Sequence, residues 1–174
     1  FAYQLHIGGE QATLRQRDDT PFLRGFNASE PPNLYATPQL TPYRWTRDRS
    51  AIVLPGLGVR EWLVQIRAAS SRPDGSAAAS SWSDGTSSTT LAIDAQPRSY
   101  TLLARTNPAG DLALAIDTPP FAAPGDPRTL GFVLFQVSLA PNDRLALPAA
   151  LQLGYLALAL ALIYLLARRI ALAP

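Results

Sequence analysis

Few residues in this chain could carry chemistry. His6 is the single histidine among 174 residues that include no cysteine. A metal held by one imidazole and no thiolate would need several carboxylates, and none cluster beside His6. A Ser/His/Asp relay would have to use His6, yet no G-x-S-x-G turn presents a nucleophile. His6 therefore reads as an ordinary strand residue. Paired carboxylates can cleave glycosidic bonds, but Asp74, Asp84, Asp111, Asp126 and Asp143 fall in turns, where aspartate caps backbone N–H groups. Asp18, Asp19 and Glu30 in an early loop are the remaining candidates. Gly56-x-Gly58 lacks the third glycine and the following helix of a phosphate cradle. The Asp- and Asn-rich turns lack the spacing of a calcium loop. No catalytic residue, metal site or cofactor is expected, and a structural calcium has no support.

The remaining chemistry is that of binding. Phe22, Arg24, Phe26, Asn27, Tyr35, Tyr43, Trp45 and Arg47 are concentrated in residues 21–47. Exposed Trp and Tyr rings stack on the apolar faces of sugars, and Arg and Asn bond to hydroxyls. Arg24, Asn27, Tyr43, Trp45 and Arg47 are thus the candidate ligand-binding residues, for a glycan. The alternative is that the same rings pin a long loop onto the body of the protein, because large aromatic side chains dominate burial.

The elements that must position them are short strands separated by turn residues. Tyr3–Ile7 alternates and stops at Gly8-Gly9. Residues 10–43 hold several prolines and read as a long loop with short extended pieces. Tyr43–Thr46 and Ser50–Leu54 are each strand-like. Glu61–Ala68 alternates cleanly, with Trp62, Val64, Ile66 and Ala68 on one face. Asp74-Gly75 and Asp84-Gly85 are hairpin-type turn pairs, and Ala77–Ser83 between them is a weak strand or a loop. Thr89–Asp94, Ser99–Ala104 and Asp111–Asp117 follow, then a Pro-rich loop over Thr118–Arg128. Leu130–Leu139 is apolar on both faces, as in a central strand. Seven to nine strands about ten residues apart predict an all-β fold, an antiparallel β-sandwich or jelly roll, over residues 1–142.

Residues Leu145–Ala167 contain no charge. Counted from Pro148 they supply about 30 Å of helix, a hydrocarbon core's thickness. The sequence predicts a single C-terminal transmembrane α-helix within residues 143–169 and a tail over 170–174. Pro148 suits the first turn; Asn142 and Asp143 look like start signals; Tyr164 near Arg168 and Arg169 suits an interface. Gly154 with Ala150, and Ala157 with Ala161, are small residues four apart that permit close helix approach. The arginine pair predicts a cytoplasmic C-terminus, an extracytoplasmic position for residues 1–142, and a cell-membrane location. Ala140-Pro141-Asn142 reads as a very short link that holds the sandwich close to the bilayer.

The net charge of +2 is interspersed, with no basic run to track a phosphate backbone, so nucleic acid is not an expected partner. Expected partners are the lipid bilayer, a glycan, or other membrane-protein helices.

Pro21-Phe22-Leu23-Arg24-Gly25-Phe26, Tyr43-Arg44-Trp45-Thr46, Leu54-Pro55-Gly56-Leu57-Gly58 and Arg128-Thr129-Leu130-Gly131-Phe132 occur in this order. Over about residues 3–140 the chain resembles an outer β-sandwich of polytopic membrane proteins from Chloroflexi-type bacteria. Those proteins look like mannosyltransferase-type glycosyltransferases acting on lipid-linked sugars. The resemblance implies no catalytic residue at these positions; any active site would lie outside this chain. The function expected is that of a membrane-anchored, non-catalytic, carbohydrate-binding-like sandwich. Alternatives are a protein-interaction module, and the outer domain of such a glycosyltransferase.

Overall fold

The computed structural model describes residues 12–14, 20–31, 42–142 and 150–171. His6, Asp18, Asp19, Tyr35, Pro148 and the expected strand over Tyr3–Ile7 lie outside them. The described chain forms nine strands: β1 (Ala12–Leu14), β2 (Leu23–Phe26), β3 (Arg44–Leu54), β4 (Glu61–Ala69), β5 (Ala78–Ser83), β6 (Ser88–Ile93), β7 (Arg98–Arg105), β8 (Leu112–Asp117) and β9 (Val133–Pro141). A three-residue 3-10 turn, Thr20–Phe22, precedes β2, and one helix, α1 (Ala150–Ala171), closes the chain.

The strands pair antiparallel throughout, in the order β6-β5-β8-β3-β9-β4-β7, with β1 beside β9 and β2 beside β3. The path folds into two layers because β3 belongs to both. Its first residues, Arg44 and Trp45, pair with Leu134 and Val133 of β9, whereas Arg49–Leu54 pair with β8. The expected strands Tyr43–Thr46 and Ser50–Leu54 are therefore one strand of 11 residues that turns the corner of the sandwich. Asp48, which the alternation would bury, is exposed at that corner.

The core fills the space between the layers. Ile52, Val64, Ile66, Trp82, Ile93, Leu112, Leu114, Ile116 and Phe132 are each at most 1% exposed. Each such side chain contributes about 1.5–3 kcal/mol through removal of apolar area from water. Alternation explains most of this list: Trp62, Val64, Ile66 and Ala68 of β4 all point inward, as do Leu112, Leu114 and Ile116 of β8. Residues 78–83 are a full strand, held by Trp82 under the core and packed on Phe132 with ring centroids 5.9 Å apart.

Of the two turn expectations, one needs correction. Asp84-Gly85 does close the β5–β6 hairpin, but Asp74-Gly75 joins β4 to β5, which lie in different layers. Its Asp74 Oδ1 accepts from Ser76 N at 2.9 Å, an Asx-type turn within a crossover.

β9 also departs from simple alternation. Arg67 pairs with Gln136 and Ala68 with Leu134, so Phe135 is an extra residue, a β-bulge. The bulge keeps Leu134, Val137 and Leu139 in the core and turns Phe135 outward. There Phe135, Val133 and Ala69 form a second, smaller apolar cluster with Tyr43 and Trp45.

The C-terminal expectation is met in part. A helix forms, but it starts at Ala150 and runs past the arginine pair to Ala171. Asn142 is not its cap: Asn142 N donates to Glu61 O at 3.1 Å, which fastens it to the end of the sheet. Pro141 is the last residue of β9, so the expected link at 140–142 is part of the sandwich. Side chains are described over 153–169, all exposed. Among the described residues, no helix is long and apolar enough to cross a membrane.

Candidate functional site

The strand directions give the sandwich two distinct ends. Asn142, where the chain leaves toward α1, sits with the β3–β4, β5–β6 and β7–β8 loops. The opposite end holds residues 27–31, the 70–77 loop, the start of β3 and the long 118–132 loop. Tyr43, Trp45, Asn27 and Arg47 come together at this second end.

Tyr43 pairs with Glu30 through reciprocal backbone bonds of 2.9 and 3.1 Å, and its hydroxyl donates to Glu30 Oε2 at 2.8 Å. Arg128 Nη1 donates to the other oxygen, Glu30 Oε1, at 2.6 Å. The same guanidinium donates from Nη2 to Asp126 Oδ2 at 2.6 Å and from Nε to Asp126 Oδ1 at 2.9 Å. One arginine thus bridges two carboxylates and ties the 118–132 loop to the segment after β2. Burial, then the hydrogen bond to Glu30 and its negative charge, push the Tyr43 phenol up to about 12. The Arg128 side-chain and backbone hydrogen bonds hold the Asp126 carboxyl down at about 2. Arg128 itself is held above the usual guanidinium range by its bonds to Asp126 and Glu30.

Asn27 is a structural hub. It is 6% exposed. Its backbone N donates to Trp45 O at 2.9 Å, and its Nδ2 donates to Thr129 O at 3.1 Å. Its Oδ1 accepts from Arg47 Nε at 3.4 Å, and its carbonyl accepts from Arg44 Nη1 at 3.3 Å. These bonds commit its side chain to the fold.

Trp45 is half-buried. Its ring meets Phe121 edge-on, centroids 5.8 Å apart at 65°. Tyr43 meets Phe135 in the same manner at 6.1 Å and 61°. The Arg72 guanidinium lies over Phe121 at 5.6 Å, and its Nη2 donates to Pro119 O at 2.6 Å. Arg47 is exposed beside Asn27. Arg24 is also exposed, on β2 opposite Ala51 and within the other layer. The structure therefore gathers Asn27, Tyr43, Trp45 and Arg47 and sets Arg24 apart.

Sequence reasoning did not assign Arg72, Phe121, Asp126, Arg128 or Phe135 to this end. Phe121 and Arg128 fall within the Pro-rich loop, and a bridge between Phe121 and Leu130 shapes that loop into a hairpin. The only signal was Glu30, a carboxylate directly before Pro31 and Pro32 in the early loop. The turn residues elsewhere are occupied by capping. Asp84 accepts from Thr86 N at 2.8 Å, Ser87 N at 2.7 Å and Arg105 N at 2.8 Å. Burial acts to raise its pKa, and these amides, with the Thr86 hydroxyl, outweigh burial and hold the carboxyl well below the usual range. Among the described residues, no group of three or more His, Cys, Asp or Glu side chains could hold a metal ion.

No protein-family model matches the chain, and no curated protein matches it. Solved structures with a similar course include the C-terminal CBM6 of LamC, a marine laminarinase from Zobellia galactanivorans, at 12% identity and a TM-score of 0.46 over 75% of this chain and 99% of that one. A family 35 carbohydrate-binding module from Clostridium thermocellum matches at 11% identity and a TM-score of 0.48, over 75% of this chain and 97% of that one. A family two carbohydrate esterase from Cellvibrio japonicus matches at 16% identity and a TM-score of 0.43, over 82% of this chain and 36% of that one. The sandwich itself rests on the strand register given above.

Proposed function

We propose that this chain is a non-catalytic, carbohydrate-binding-like β-sandwich that α1 anchors in a cell membrane. The observation that carries the binding role is the placement, two residues apart on β3, of a half-buried Trp45 and an exposed Arg47 at the end of the sandwich away from Asn142. Phe121 braces the ring, so a sugar's apolar face would meet a surface whose rotamer is already fixed. Arg47 would donate to hydroxyls beside it. Glycan-array binding, followed by calorimetry with Trp45→Ala and Arg47→Ala, tests the role. At least tenfold weaker binding by both variants is expected; equal binding by all three proteins, or no binding by the parent, overturns it.

The anchoring role is supported by α1. Leu153, Tyr155, Leu156, Leu158, Leu160, Leu162, Ile163, Tyr164, Leu165 and Leu166 are each more than half exposed. The described side chains span only 153–169, while the uncharged sequence extends back to Leu145. Exposed leucines all round a helix require an apolar surrounding, either lipid or other helices. Arg168 and Arg169 in its last turn favour a cytoplasmic C-terminus.

Small residues four apart on α1, Ala150 with Gly154 and Ala157 with Ala161, favour a second reading, in which α1 packs against further helices as part of a larger membrane protein. The resemblance to outer domains of glycosyltransferase-like proteins belongs to this reading. Stoichiometric crosslinking of α1 to another polypeptide segment in native membranes would support it, and its absence would remove it.

A further inference from the structure

We infer that the end of the sandwich bearing Asn142 rests on the lipid headgroup layer through Val59 and Leu103, so that Trp45 and Arg47 point away from the bilayer. The inference rests on the anchoring of α1 proposed above. Among the described sandwich residues, the two exposed large hydrophobic side chains are Val59, at 37%, and Leu103, at 54%. Both lie toward the same end. Val59 is in the β3–β4 loop, and Leu103 pairs with Leu63, which pairs in turn with Ala140 two residues before Asn142. No such side chain is exposed at the opposite end among the described residues.

Chain length supports the same geometry. The seven residues 143–149 reach at most about 25 Å even when fully extended. An end from which the chain enters a membrane so soon is held near its surface. Charge does not oppose the contact. Glu61 is paired with Arg105 at 2.5 Å, Asp84 is saturated by amides, and Asp111 Oδ1 accepts from Gly56 N at 2.8 Å. Among the described residues, Glu61, Asp84 and Asp111 at this end are thus engaged internally. Arg60 adds a cation, stacked on Trp62 at 5.2 Å. Two exposed apolar side chains beside engaged carboxylates can enter a headgroup layer without burying an unpaired charge.

The absence of native cysteine makes a direct test clean. Single cysteines at Val59→Cys, Leu103→Cys, Thr129→Cys and Leu160→Cys would each carry a fluorophore on the full chain. The proteins are reconstituted in phosphatidylcholine vesicles holding nitroxide lipids labelled at the headgroup or deep in the acyl chain. Headgroup nitroxides should quench the probes at 59 and 103 at least threefold more than the probe at 129, and deep nitroxides should quench the probe at 160. Quenching at 160 with equal, weak quenching at 59, 103 and 129 overturns this inference and leaves anchoring intact. No quenching at 160 overturns the anchoring and this inference with it.

Discussion

Arg128 Nη1 donates to Glu30 Oε1 at 2.6 Å across 98 positions of sequence. Their side chains are 38% and 26% exposed, so water screens the pair only in part. A charge-assisted bond of this kind is worth about 1 kcal/mol after that screening. Arg128→Ala also frees Asp126 and Glu30 to repel one another. Thermal unfolding should shift down by about 3 °C; an unchanged midpoint would show that the bridge contributes nothing.

Tyr43 gives an alkaline signature. Its phenol is raised to about 12 by burial and by Glu30. A group with a raised folded pKa contributes stability that is complete below its unfolded value near 10 and is lost as pH rises through its folded value. Denaturant midpoints should therefore fall between pH 10 and 12, and Tyr43→Phe should flatten that fall. The same slope in both proteins would count against the Glu30 contact.

Asp126 gives the opposite sign. Its carboxyl is held at about 2, chiefly by Arg128. Its contribution is present above the unfolded value near 4 and is lost as pH falls through 2. Asp126→Asn should abolish the part of the acid destabilisation between pH 4 and 2 that belongs to this pair, read by circular dichroism. A steepened acid limb in that variant would contradict the assignment.

Gly25 occupies a site closed to other residues. Its φ is +69°, and an added Cβ would run into the carbonyl oxygen of Arg49. Gly25→Ala combines left-handed strain with a backbone clash, a cost of about 2–4 kcal/mol. Chemical denaturation should show it, and a loss under 0.5 kcal/mol would mean that β2 does not lie on β3 as described.

Trp82 tests whether residues 78–83 are ordered. The side chain is 1% exposed. Trp82→Ala should cost about 3–5 kcal/mol, whereas a loop position would tolerate it. Trp82 fluorescence in a Trp45→Phe, Trp62→Phe background should resist quenching by iodide.

Alternation carried most of the architecture. β4 and β8 were legible because each buries every second residue, and the antiparallel class followed from turn spacing. Residues 78–83 were harder to read, since Ala and Ser give little hydrophobic contrast and only Trp82 reports the buried face. The unity of β3 was hidden by Arg47-Asp48-Arg49, three polar residues that look like a loop and are in fact the corner between layers. The bulge at Phe135 was invisible for a related reason: an apolar run on both faces has no phase to break. At the candidate site, the local cluster around Trp45 was legible. Arg128 and Phe121 were not, because the contacts that bring them to this end, Arg128 to Glu30 and Phe121 to Trp45, join distant parts of the sequence that no short-range pattern encodes.

A strand shared between two layers has a mechanical consequence. Shearing one layer past the other would require β3 to break its bonds to β8 or its bonds to β9, since one backbone serves as the hinge pin for both. Neither half can therefore melt alone without tearing the other's edge. Backbone amides of 46 and 50–54 should exchange with solvent deuterium only through whole-domain opening, at one common rate. A ligand held by Trp45 and Arg47, at the head of that same strand, would slow exchange as far away as Leu54.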